Sequence, residues 1–291
     1  MILVDINEIS YSSFLFKNII FKNIALSFFK KYNKLAIFGV NGIGKSTIVN
    51  ALFSSNNTIL IDGNITFKSN KKWFTKEQFL LVKKINFIEA ELGYPDISLK
   101  SLIEMNKLVY NFNESTFFRL FDLLDLPNLN TCFYNLSSGQ KRKFHLLLGL
   151  SNWTEYNIFD EALANIDPET SNLFLDQIIQ LQKEFKGKII FITHIPSEAL
   201  FCERGLFILK ENGEKIMKII SFERLKKINY YRNYKPNFFC LSASVFMAPD
   251  NYITEKEDII CDSELGCLEV IKYYYKYKTF PSQLLNLIRS K

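Results

Sequence analysis

The sequence predicts an α/β fold, a mostly parallel sheet with helices on its faces. Three observations predict it. A glycine-rich loop, Gly39-Val40-Asn41-Gly42-Ile43-Gly44-Lys45-Ser46-Thr47, sits between an apolar run and a helix-like run. Strand-like and helix-like stretches alternate after that loop. A later apolar strand, Ile158-Phe159-Asp160-Glu161, ends in two adjacent carboxylates.

Taken in order, residues 1–38 read as short strands separated by turn material such as Tyr11-Ser12-Ser13. Leu35–Phe38 is the strand that feeds the glycine-rich loop, and Ser46–Leu52 is the helix that leaves it. Thr58–Ile61 and Ile65–Lys68 read as two strands around the turn dipeptide Asp62-Gly63. Ile85–Ile88 is a further strand. Residues 97–126 are helical, because Phe117, Leu120, Phe121 and Leu124 recur at helical spacing, and Pro127 ends the run. Tyr156–Phe159 is a strand, less apolar than a fully buried one usually is. Asp167-Pro168-Glu169 starts a helix, with Asp at the cap and Pro at the first helical position, and Gly187 stops it. Lys188–Thr193 is a buried strand. Leu206–Lys210 and Lys215–Ile220 flank Asn212-Gly213 as a hairpin.

Residues 221–291 carry many tyrosines and do not repeat the earlier pattern, so they read as a small C-terminal extension whose aromatics serve packing. The net charge of +6 is mild, and the Lys and Arg residues form no stripe, so no nucleic-acid partner is expected. Asp5 and Glu8 interrupt any secretory pattern, and no apolar run reaches membrane-spanning length. Five cysteines, at 132, 202, 240, 261 and 267, form no disulfide framework and no tight C-x-x-C pair, which points to a reducing compartment rather than a metal centre.

The chemistry starts at the loop. Glycines let the backbone curl so that successive N–H groups cradle oxyanions, and the positive end of the following helix adds attraction. Lys45 is expected to reach the outer phosphates of a nucleotide and Ser46 to ligate Mg²⁺. Asp160 suits Mg²⁺ and Glu161 suits the polarising of a water; as strand neighbours they point to opposite faces and so take different roles. Leu136-Ser137-Ser138-Gly139-Gln140 reads as a capping box, Ser137 with Gln140, and a capped helix start is itself an anion site. Thr193-His194 ends a strand at the sheet edge expected to carry the nucleotide.

These motifs, in this order, resemble the ATP-binding cassette (ABC) ATPases over roughly residues 1–220. The resemblance implies a P-loop cassette: a mostly parallel core, an N-terminal antiparallel β region, and a helical subdomain at about 92–150. It implies ATP and Mg²⁺ as cofactors. Asn41, Gly42, Gly44, Lys45, Ser46 and Thr47 would bind the phosphates, and Tyr11 would stack on adenine. LSSGQ stands for the family signature LSGGQ, so Ser137, Gly139 and Gln140 would bind ATP from a second chain. Glu161 and His194 would be catalytic, and Asp167 would belong to the loop after the carboxylates.

Three departures stand out. Glutamates replace the family's Q-loop glutamine, with Glu91 the first candidate and Glu89 the second, which resembles exporter-type cassettes. Ala162-Leu163 replaces Pro-Thr, and Ser138 replaces a glycine. No reacting group is lost, so hydrolysis is expected. The family also implies a head-to-tail homodimer, or a heterodimer with a sister cassette, docked on separate membrane-spanning subunits at the cytoplasmic face. Export of a peptide, drug or lipid is the expected work. The alternative is a soluble cassette ATPase outside transport.

Overall fold

The computed structural model describes residues 1–12, 17–39, 42–54, 58–81, 84–89, 93–163, 166–193, 198–199, 201–211, 214–221, 229–233 and 256–260. Along the chain run β1 (Ile2–Ser12), β2 (Lys17–Phe28), β3 (Lys34–Phe38), α1 (Lys45–Phe53), β4 (Ile59–Ser69), β5 (Lys72–Thr75), α2 (Lys76–Leu81) and β6 (Ile85–Ile88). Then come α3 (Leu99–Val109), α4 (Glu114–Leu123), α5 (Ser138–Ser151), β7 (Tyr156–Asp160), α6 (Pro168–Phe185), β8 (Lys188–Ile192), β9 (Arg204–Glu211), β10 (Glu214–Ser221), β11 (Asn229–Asn233) and β12 (Lys256–Ile260). The chain forms two compact units, one from Met1–Trp73 and Thr193–Lys291, the other from Phe74–Ile192.

In the first unit β1 is flanked antiparallel by β2 and β4. Its side chains alternate as a half-buried strand requires: Ile2, Val4 and Ile6 are buried, while Leu3, Asp5 and Asn7 face out. β1 and β2 are therefore long strands, and Tyr11 and Ser12 lie inside β1 rather than in a turn. β4 corrects a second expectation, since it runs unbroken through Asp62-Gly63. Gly63 sits at φ +135°, opposite Ile6, where the pairing of β1 slips between Ile6 and Glu8. A Cβ there would lie 2.5 Å from the Asp5 carbonyl oxygen. The glycine permits a bulge and a close backbone approach, not a hairpin. Gly63→Ala is expected to destabilise the chain by roughly 2 kcal/mol or more, read as a lower urea midpoint.

Parallel pairing begins at β3, which aligns with β9, and β10 returns antiparallel on β9. Glu211 pairs with Glu214, so two residues connect these strands, as a hairpin at Asn212-Gly213 requires; those two residues lie outside the described set. β11 pairs antiparallel with β12.

In the second unit β7 lies between β6 and β8, all parallel. The polar Asn157 in β7 is fully buried because its amide is used: Nδ2 donates to the Thr154 carbonyl (2.8 Å) and Oδ1 accepts from the Thr154 N–H (3.0 Å). The expected single helical stretch at 97–126 is two helices. Ser98 caps α3 and Asn113 caps α4, each accepting a backbone N–H three residues on, so the side-chain hydrogen bonds restart the helix after residues 110–113. Phe117, Leu120 and Leu124 are buried, as their spacing predicts. At the end of α6 the left-handed residue is Lys186, at φ +57°. Gly187 serves another purpose: a Cβ there would meet Trp153 Nε1 at 2.5 Å.

The α/β expectation holds, with parallel strands and helices in both units and antiparallel strands in the first. No helix among the described residues is long and apolar enough to cross a membrane.

Candidate functional site

The glycine-rich loop belongs to the first unit. α1 begins on Gly44, which is left-handed at φ +108° and brings no side-chain cap to the helix's first N–H groups. Gly44 is also confined by packing, because a Cβ would lie 2.8 Å from Phe21 Cζ on β2. That geometry combines a positive helix end with a backbone that a side chain would obstruct, which is what an oxyanion cradle needs. The Lys45 ammonium is buried and folds across the loop, donating to the Gly39 carbonyl at 3.0 Å. Ser46 and Gly42 face solvent. Tyr11 reaches the loop helix from β1, its hydroxyl 3.2 Å from Thr47 Oγ1. Asn41 lies outside the described residues.

The carboxylate pair belongs to the second unit. β7 ends at Asp160, which is half-buried. Glu161 does not continue the strand: it is left-handed at φ +48°. Strand alternation therefore does not set its direction, as the sequence reading assumed; the turned backbone does. Both of its main-chain groups are held. Its N–H donates to the Ile192 carbonyl (2.8 Å), and its carbonyl accepts from Arg142 Nη2 (2.6 Å). Ala162 and Leu163, where the family carries Pro-Thr, are 1% and 2% exposed and so anchor the turn in the core. In this unit Asp160 offers carboxylate oxygens of the kind a hard cation such as Mg²⁺ takes. No cluster of three or more His, Cys, Asp or Glu residues that could hold a metal occurs among the described residues.

LSSGQ opens α5. Ser137 Oγ accepts from the Gln140 N–H (3.2 Å), and Gln140 Oε1 accepts from the Ser137 N–H (3.0 Å), completing the capping box. Ser137, Ser138 and Gly139 are exposed, and a Cβ on Gly139 would meet nothing within 4 Å. Asp167 caps α6, accepting from the Thr170 N–H at 2.8 Å, and that bond holds its carboxyl below the usual range. Glu91 and His194 lie outside the described residues; Glu89 is described and exposed.

His145 was not singled out from the sequence. It is buried on α5, with Nε2 3.0 Å from the Glu89 carbonyl and Nδ1 2.8 Å from the Tyr94 hydroxyl. A carbonyl only accepts, so Nε2 carries the proton and Tyr94 donates to Nδ1. One imidazole thus fastens both ends of the glutamate-bearing segment 89–94 to the LSSGQ helix. Burial pushes its pKa down to about 4, opposed by the Glu89 bond and assisted by the Arg142 charge. Between about pH 6.5 and 4 the unfolded chain binds this proton and the folded chain does not. Stability is therefore expected to fall with pH in that window, by at most about 1.4 kcal/mol per unit from this residue. Urea midpoints at pH 7, 5.5 and 4.5 check this, and His145→Gln should flatten the slope.

Residues 21–164 match the ABC transporter family. The chain carries an ABC transporter ATP-binding cassette. It is 27% identical over 203 residues to the methionine import ATP-binding protein MetN of Lactobacillus johnsonii, covering 64% of this chain and 57% of that one. It is 27% identical over 250 residues to the energy-coupling factor transporter ATP-binding protein EcfA1 of Clostridioides difficile, covering 81% of this chain and 86% of that one. Among solved structures, a dimeric cassette in a post-hydrolysis state bound to ADP and Pi superposes with a TM-score of 0.58 at 17% identity, covering 76% of this chain and 98% of that one. The cassette thus spans little more than half the length of the methionine import relative. These relatives are named for import and for energy coupling, so the exporter-type expectation finds no support among them.

Proposed function

We propose that this cassette hydrolyses ATP to drive a transporter. Two copies close head to tail, and each ATP lies between the phosphate loop of one copy and LSSGQ of the other. Asn41, Gly42, Gly44 and Thr47 line the phosphates, Lys45 reaches the outer ones, and Tyr11 stacks on the base. Ser46 and Asp160, with Glu91 or Glu89, would hold Mg²⁺, which neutralises charge on the phosphates. Glu161 orients a water and takes its proton as the γ-phosphorus–oxygen bond to ADP breaks, while His194 contacts the γ-phosphate. Asp167 borders the same closure. The observation that carries this reading is the exposed start of α5. A phosphate loop serves many nucleotide enzymes, but LSSGQ held open to solvent by a capping box has a use when a second nucleotide is brought to it.

Residues 1–220 form the cassette in this reading, with its helical part at about 92–150, and residues 221–291 are an extension. Docking on separate membrane-spanning subunits places the chain at the cytoplasmic face. For direction we infer uptake, because the methionine relative is named for import. Affinity purification of the full chain from its native membranes tests the assembly, and a polytopic membrane protein recovered in stoichiometric amount is the expected result. Recovery of the chain free of any membrane protein, with ATPase activity intact, would instead favour a soluble cassette.

A further inference from the structure

We infer that Arg142 is a positioning residue for Glu161, an inference that rests on the catalytic reading of that carboxylate. Glu161 is a non-glycine residue held at φ +48°, a conformation that persists only where its surroundings enforce it. Two main-chain bonds enforce it. The Ile192 carbonyl receives its N–H from the neighbouring strand β8, and Arg142 Nη2 grips its carbonyl at 2.6 Å from α5. The second bond is charge-assisted and short, the stronger kind. It comes from the side chain of a helix whose first residues are the signature, so within one unit a single guanidinium joins LSSGQ to the backbone of the residue assigned to water. Below the turn, Ala162 and Leu163 are buried, so the backbone beyond Glu161 is anchored in the core. The Arg142 bond thus governs which way the Glu161 carboxylate leaves the sheet edge. Arg142 touches neither nucleotide nor water in this scheme and acts through the Glu161 backbone.

The test uses the full chain with Arg142→Gln, whose amide is too short to reach the carbonyl, and Arg142→Lys, which keeps charge and reach but loses the planar fork. Arg142→Gln is expected to lower kcat about tenfold with ATP affinity unchanged within twofold, the loss one charge-assisted bond accounts for. Arg142→Lys should recover part of that loss. Wild-type kcat in Arg142→Gln, a fall in ATP affinity that matches the fall in kcat, or a lysine variant no better than the glutamine variant would each overturn the inference. Should Arg142→Gln not fold, the decision passes to Arg142→Lys: a two- to tenfold loss of kcat at wild-type affinity supports it, and wild-type kcat overturns it. Glu161→Gln, run alongside, separates the two levels. If Glu161→Gln also turns over normally, the catalytic reading has failed. If only the Arg142 variants are normal, this inference alone has.

Discussion

Glu161→Gln is expected to abolish ATP turnover, by about 10²–10⁴-fold, while leaving ATP binding intact. Glutamine has the same shape but cannot accept the water's proton. The turn's main-chain contacts, the N–H to Ile192 and the carbonyl to Arg142, both survive the substitution. Melting temperature should therefore hardly move. Hydrolysis normally reopens the pair of cassettes in this scheme, so the variant should accumulate as an ATP-bound dimer, visible as an earlier elution on size-exclusion chromatography. A variant that elutes with ATP as it does without it would count against ligand acting as the adhesive.

Lys45→Ala should act at the other end of the reaction. The ammonium lies across the loop on the Gly39 carbonyl at 3.0 Å, already buried and close to where phosphates would sit. Removing it takes a charge-assisted donor from the nucleotide, worth roughly 1.5–3 kcal/mol, or about one to two orders of magnitude in Kd. Titration calorimetry with ATP reads the loss directly, and unchanged affinity would undo the phosphate-loop assignment.

Much of the candidate site was legible because its parts are local. The capping box of Ser137 and Gln140, the cap at Asp167 with Pro168 behind it, and the strand-loop-helix around Lys45 are each written within a few residues, and the structure bears out their conformation. What was not legible depends on neighbours distant in sequence. Asp62-Gly63 has the composition of a turn, yet it stays within β4, at a bulged pairing where the β1 backbone at Asp5 and Ile6 leaves no room for a side chain on Gly63. Glu161 looked like the next residue of a strand, but Ile192 and Arg142 hold it left-handed. Arg142 stands between two lysines, Lys141 and Lys143, and only the fold distinguishes it from them. His145 gave no signal beyond being a lone histidine on an apolar helix face; the signal lies in Glu89 and Tyr94, which reach it from a loop more than 50 positions earlier in the chain. Asn157 weakened an otherwise apolar strand, and its partner at Thr154 explains why it can be buried.

Phosphate release from ATP, measured side by side for the wild-type chain and Glu161→Gln at equal nucleotide occupancy, tests the central claim most directly. Turnover by the wild type and its loss by orders of magnitude in the variant is the result expected of an ATP-hydrolysing cassette with Glu161 at the water. Equal rates in the two proteins, or none in the wild type whether alone or with its membrane partner, would contradict it.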